Sequence, residues 1–182
     1  IYTTLDSNMQ KLAEEATREH MRDMVQPQMN RQIKATGQLY LGMNKAKTEK
    51  KIASAMRQTD RWRHMTKDGY TEEQIEKAFD TKVQMEVFTY NGIRDTMMTP
   101  RDSIIHHKSI MRPAMVAVDP NNGYVRAYVG GPDYRFFKYD AATQTKRQIG
   151  STAKPFIYSY AVHMLGLKPC HPVCNERVTI KY

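Results

Sequence analysis

Long hydrophobic runs are missing from this 182-residue chain. No segment approaches the roughly 18 consecutive apolar residues that a membrane-spanning helix needs, and no secretory leader pattern opens it. Any membrane anchor is therefore expected outside this segment. Cysteine is nearly absent as well. The two present, Cys170 and Cys174 in CHPVC, could bridge, could hold a metal together with His171, or could be separate thiols, and one pair does not fix a redox compartment. Three ligands around a proline are a poor basis for a metal site. Also missing are internal repeats, low-complexity tracts, a zinc-ligand set, a DNA-reading helix and an aromatic RNA-binding signature. The net charge of +9 favours anionic surroundings, yet the Lys and Arg of RWRHMTKDG and NKAKTEKK are scattered. They read as solvated helical surface, and nucleic acid is not an expected partner.

What is present suits one modest domain or two small incomplete ones, with 40% hydrophobic residues to build a core. The chain opens at Ile1 without an initiator Met and closes on RVTIKY, which reads as an unfinished strand, so a piece of something longer is expected. IYTTLDSNMQKLAEEATREHM predicts a short strand and then a helix. Ser7 and Gln10 have capping-box spacing, and Met9, Leu12, Ala13 and Ala16 make one apolar face. Residues 44–65 carry Ile52, Ala55, Met56 and Trp62 at helical spacing, and DGYTEEQIEKAFD adds a capping box from Thr71 to Gln74. A helical insertion over about 44–80 follows from these patterns. Alternation through KVQMEVFTY predicts a half-buried strand at 82–90, and a Pro-containing connection is expected around Thr99 to Ser103. After a boundary near residue 110, AMVAVDPNNGYVRAYVGG predicts an antiparallel hairpin about its DPNNG turn.

The chemistry concentrates in RQIGSTAKPFIYSYAV, residues 147–162. Pro155 lacks an N–H and tolerates only the first turn of a helix, so the helix must start near Ser151. Gly150 permits a sharp bend before it and Gly166 a stop after it. Phe156, Ile157, Tyr160, Ala161, Val162, Met164 and Leu165 cover nearly the whole circumference, which predicts a buried helix. Ser151 then stands at its positive end, and Lys154 lies one turn on, at the spacing that lets a neutral amine reach the hydroxyl. Such a pair suits nucleophilic acyl transfer, Ser151 attacking a carbonyl while Lys154 takes its proton. The plainer reading is an N-cap serine beside an exposed lysine, since S-x-x-K arises by chance in chains of this length.

MVAVDPNNGYVRAYVGGPDY followed by ATQTKRQIGSTAKPFIYSYAV resembles the opening of the transpeptidase domain in class A penicillin-binding proteins. There a hairpin with a D-P-x-x-G turn and a G-G exit leads to R-Q-P-G-S-x-x-K-P-F. S-x-x-K joined by S-D-N and K-T-G is the general signature of penicillin-binding proteins and β-lactamases. IYTTLDSNMQKLAEEA is similar to the linker between the glycosyltransferase and transpeptidase domains of that family. The likeness covers residues 1–16 and roughly 85–168; none is assigned to residues 20–80. Ile149 stands where the family usually has Pro, and KYDAAT replaces an N-R-A-T type sequence. The Ser-x-Asn and Lys-Thr-Gly elements are expected beyond Tyr182.

The resemblance implies an α+β chain: a linker or pedestal over 1–110, then over 111–182 the start of a transpeptidase domain, with its first antiparallel hairpin and buried nucleophile helix. It implies a peptidoglycan D,D-transpeptidase, with Ser151 as nucleophile and Lys154 as base, acting on D-Ala-D-Ala stem peptides and acylated by β-lactams. It implies no cofactor, a glycosyltransferase domain upstream, and a location on the extracytoplasmic, periplasmic face of the bacterial inner membrane. An ordinary lysine is almost wholly protonated at neutral pH, and the closed cleft and second lysine that would shift the balance lie outside this segment, so the segment alone is expected to be inactive. A non-catalytic alternative makes residues 1–110 a spacer or a docking module for cell-wall or divisome proteins. A β-lactamase-like hydrolase would use the same pair but needs rapid deacylation.

Overall fold

Asp6 starts the first helix. Its backbone is extended and its carboxylate accepts the N–H groups of Asn8 and Met9, both at 2.9 Å, so the helix α1 (Ser7–His20) is capped one residue before the serine that the sequence pattern picks out. Gln10 is thereby released for another task. The computed structural model describes residues 2–40, 42–168 and 170–172. They fall into two compact units, residues 1–145 and 146–182.

In the first unit, α1 runs into a π-helical turn (Met21–Val25) and on into α2 (Gln26–Thr36), which Gly37 ends in the left-handed conformation, φ 64°. The wide turn has a packing consequence. The N–H of Gln26 bonds the carbonyl of Met21, so residue 26 sits over residue 21 and both are buried, at 6% and 8% exposure. Of the predicted apolar face of α1 only Ala13 is buried; Met9, Leu12 and Ala16 are exposed.

The charge-rich stretch folds as three helices, α3 (Lys45–Arg57), α4 (Asp60–Lys67) and α5 (Glu72–Phe79), capped by Asn44, Thr59 and Thr71. Both bonds of the Thr71–Gln74 capping box form. Ile52, Met56, Ile75 and Phe79 close a small core, with Trp62 tilted against Phe79. Next come β1 (Val83–Thr89) and β2 (Gly92–Met98), an antiparallel hairpin running from Val83 opposite Met98 to Thr89 opposite Gly92.

The connection expected at Thr99–Ser103 is instead a helix, α6 (Pro100–Ser109). Proline at its first position loses nothing, because that N–H has no helical partner, and Thr99 caps it by accepting the Asp102 N–H at 3.0 Å. Ile104 and Ile105 of α6 pack on the core of the three helices. A second core joins Met21, Phe88, Tyr90, Ile110 and Phe137.

β3 (Met115–Val118) and β4 (Val125–Val129) form the predicted hairpin, with a register irregularity at Ala117/Val118. Asp119 organises its turn, accepting from the Asn121 N–H and from the Asn121, Asn122 and Arg126 side chains. The free edge of β4 is covered by the N-terminal segment: the Asp6 N–H donates to the Arg126 carbonyl at 2.9 Å and the Thr4 hydroxyl to the Val125 carbonyl at 2.8 Å. Residues 2–6 follow the strand edge without forming the predicted strand, because only one main-chain bond ties them to it. Ala13 of α1 packs on Ala127 and Val129. The fold is therefore α+β, with helices and two small antiparallel hairpins.

The second unit holds a 3₁₀ turn (Gly150–Ala153) and α7 (Lys154–Leu165), ended by Gly166 at φ 62°. The prediction that this helix is buried does not hold here. Phe156 is 73% exposed and Ile157, Tyr158, Tyr160, Val162, Met164 and Leu165 are exposed as well. A helix that is apolar on every side is buried only where other elements surround it, and among the described residues of this unit the 3₁₀ turn is its one neighbour. The expected strand at 177–182 lies outside the described residues.

Candidate active site

The local backbone around Ser151 follows from two residues that bracket it. Gly150 adopts φ 55°, a left-handed conformation that side chains resist, and turns the chain into the 3₁₀ segment. Pro155 occupies the start of α7, where its missing N–H is harmless. Between them the Lys154 N–H donates to the Ser151 carbonyl, a three-residue turn that sets the two residues one turn apart along the chain. Both side chains are exposed to solvent. The first turn is 3₁₀ and the α-helix proper starts at Lys154 rather than at Ser151. The Thr152 hydroxyl bonds the Ile149 carbonyl, which ties the same turn together from the other side.

The first unit contains a second organised cluster, at the residues that follow the β3–β4 hairpin. The Asp140 carboxylate accepts from the Tyr128 hydroxyl, from the Thr143 hydroxyl at 2.5 Å and from the Ala142 N–H at 2.9 Å. Those donors, Thr143 foremost and then Tyr128, hold its carboxyl below the usual aspartate range. The Ala141 N–H closes onto the Gly130 carbonyl at 2.7 Å. A Cβ on Gly130 would stand 2.7 Å from Asp140 Oδ1, so the first glycine of the G-G exit is there to let the carboxylate approach. The sequence marked both places, the G-G exit and the unusual KYDAAT, without connecting them. Their relation is a contact between a strand end and a loop ten residues on.

Cys170 is exposed, and Cys174 lies outside the described residues, as does any pairing between them. No helix among the described residues is long and apolar enough to cross a membrane.

Comparison with known proteins extends the likeness into the region that had none. Residues 35–111 match the family described as penicillin-binding protein middle domain, a stretch that takes in the three-helix region, the β1–β2 hairpin and α6. A penicillin-binding protein 1A from Neisseria flavescens is 39% identical over 48% of this chain and 10% of its own length. One from Vibrio cholerae is 52% identical over 28% of this chain and 6% of its own length. One from Rickettsia bellii is 28% identical over 93% of this chain and 23% of its own length. These matches span less than a quarter of each relative, and no solved structure matches the chain. With the middle-domain match at its centre and penicillin-binding proteins 1A similar to it along almost its whole length, the comparisons support a segment of a class A penicillin-binding protein.

Proposed function

We propose that the protein containing this segment is a peptidoglycan D,D-transpeptidase. Ser151 Oγ attacks the carbonyl carbon of the penultimate D-Ala of a stem peptide while the Lys154 amine takes the hydroxyl proton. The C–N bond to the terminal D-Ala then breaks, that proton goes to the leaving amine, and an amine on a second stem displaces Ser151 from the ester. The Ser151 N–H supplies one donor to the oxyanion. β-Lactams acylate the same hydroxyl, and the chemistry needs no cofactor. The domain works on the extracytoplasmic face of the inner membrane, tethered from outside this segment, with a glycosyltransferase domain preceding it.

The observation that supports this reading is the Gly150 bend into a 3₁₀ turn, which sets Ser151 one turn before Lys154 within RQIGSTAKPF, a stretch that follows the hairpin and its G-G exit in the sequence. In the full-length protein a fluorescent penicillin should label Ser151 stoichiometrically, with labelling abolished in Ser151→Ala. In Lys154→Ala it should fall by about 10²-fold or more, the size of a general-base contribution. The 182-residue chain alone should stay unlabelled. Full labelling of Ser151→Ala would overturn the assignment.

The separate core of the α3–α5 region favours a second role beside the first, a pedestal that docks cell-wall or divisome proteins. Binding of such partners that survives deletion of residues 20–80 would remove it.

A further inference from the structure

The helix α6 joins two cores of the first unit, and on one side it does so with two neighbouring histidines. Ile104 and Ile105 pack on the core of the three helices. His106 and His107 reach instead to a single residue of β1. His106 Nε2 donates to the Phe88 carbonyl at 2.7 Å, and the Phe88 N–H donates to His107 Nε2 at 3.4 Å. Both main-chain groups of Phe88 thus point away from β2, where Ile93 stands opposite, and imidazoles close the outer edge of β1 where a strand would otherwise lie.

The two bonds respond differently to a proton. A carbonyl only accepts, so His106 Nε2 carries a hydrogen and its bond survives when the ring is charged. His107 is fixed the other way. Its Nδ1 lies 2.8 Å from the Ser103 carbonyl and must carry the hydrogen, which leaves a bare Nε2 facing the Phe88 N–H. A proton on that nitrogen would set one N–H against another, and the seated ring has no second lone pair to offer.

The surroundings do not favour a charged ring either. Phe136 stacks on it at 5.6 Å and Phe137 meets it edge-on at 5.7 Å. Three cations stand about these rings. His106 has its ring centre 5.3 Å away, the Arg112 guanidinium lies 5.0 Å from the Phe137 ring, and Arg135, paired with Asp133, lies 5.9 Å from the Phe136 ring. β1 carries Glu86 two residues before Phe88, exposed to solvent. α3 sends Glu49 to Arg101 at the far end of α6, and α5 faces the helical core with Ile75 and Phe79. Burial is the largest influence lowering the pKa of His107; the Ser103 bond opposes it, and the charges of His106 and Arg112 add to it.

We propose that His107 is an acid-sensitive latch: a proton taken up from solvent at Nε2 releases the last turn of α6 from the edge of β1. The joint between the helical core and the core of Phe88, Tyr90 and Phe137 then loosens while each core stays folded. A released ring binds the proton at about the ordinary histidine pKa of 6.5 and the seated ring binds it less well, so the latch is complete above that pH and weakens as pH falls below it. The opening is confined to one helix end and precedes any loss of the fold as a whole.

The test is NMR of the 182-residue chain from about pH 8 down to about pH 5, across the range in which histidine titrates. At the upper end the ring nitrogen shifts of His107 should show hydrogen on Nδ1 and a bare Nε2. As the ring titrates, protection of the Phe88 amide against hydrogen exchange should fall about tenfold or more, with the Ile75 and Phe79 amides still protected. Contacts between the His107 and Phe136 rings should fade with the same midpoint. His107→Gln, neutral at every pH, should hold the Phe88 protection flat, and His106→Gln should leave the pH response in place. The wild-type midpoints decide alone if a variant does not fold. The latch is overturned by a His107 hydrogen on Nε2 at pH 8, by titration of the ring without change at Phe88, or by a ring that stays neutral until the whole chain unfolds. Loss of protection at Phe88 and Phe79 together, or a pH response that persists in His107→Gln, would also overturn it.

Discussion

The side-chain amide of Gln10 bonds both main-chain groups of Tyr128: its Oε1 accepts the Tyr128 N–H at 2.8 Å and its Nε2 donates to the Tyr128 carbonyl at 3.0 Å. A helix side chain thus stands in for a neighbouring strand on the open edge of β4. Further along the helix the Gln26 amide also bonds two main-chain groups, donating to the Ser109 carbonyl and accepting the Met111 N–H at the end of α6. Two amides therefore hold one long helix to two separate stretches of chain.

Replacing Gln10 by Ala should cost about 1–3 kcal/mol, because it leaves two part-buried backbone groups without partners. Gln10→Glu should keep the bond to the N–H and set a carboxylate against the carbonyl, giving a loss of similar sign. Urea unfolding measures the cost, and faster hydrogen exchange at the Tyr128 amide locates it.

Gly130→Ala should destabilise the chain by about 1–3 kcal/mol, since the new methyl meets a carboxylate that cannot swing away from its three donors. In an Asp140→Ala background the same change should cost less, as the obstructing oxygen is gone. A double-mutant cycle checks this, and additivity between the two sites would refute the contact.

His107 makes stability depend on pH. Its ring lies 5.6 Å from that of Phe136 in a stacked arrangement, its Nδ1–H donates to the Ser103 carbonyl at 2.8 Å, and Nε2 accepts the Phe88 N–H at 3.4 Å. Burial, only partly offset by the Ser103 bond, lowers its pKa from 6.5. The neutral ring is thus favoured in the folded state. Above pH 6.5 both folded and unfolded chains are neutral at this residue and it contributes no slope. As pH falls below 6.5 the unfolded chain takes up the proton first, so stability should drop, by at most about 1.4 kcal/mol per pH unit, until the folded pKa is passed. Unfolding measured from pH 8 to pH 5.5 should show this slope in the wild type and lose it in His107→Gln, which is less stable at pH 8.

Local signals made much of this fold legible. Thr71 and Gln74 announce α5, the spacing of Ile52 and Met56 announces α3, and DPNNG announces the β3–β4 turn, because each depends on residues close in sequence. The helix α6 was hidden behind Pro100, which reads as a break unless Thr99 is recognised as its cap, and its two histidines and lysine leave no clear apolar stripe. β2 was hidden because Gly92–Met98 is mostly exposed and polar enough to read as loop. At the candidate site the Ser151–Lys154 spacing and the Gly150 bend could be read directly, since proline and glycine restrict the backbone by themselves. The partnerships of Gln10 with Tyr128 and of Gly130 with Asp140 could not, because nothing in either local sequence names the distant partner.

The wide turn at Met21–Val25 acts as a vernier between two clamps. An ordinary helix closes its turn at the fourth residue and this one at the fifth, so deleting one residue there would leave Gln26 over Met21, whereas deleting one from the ordinary turns between Gln10 and Met21 would swing Gln26 about 100° off its target. Substitutions along this rod change only what lies beneath them, whereas a residue added to or lost from its ordinary turns would unlatch one end of it from the other.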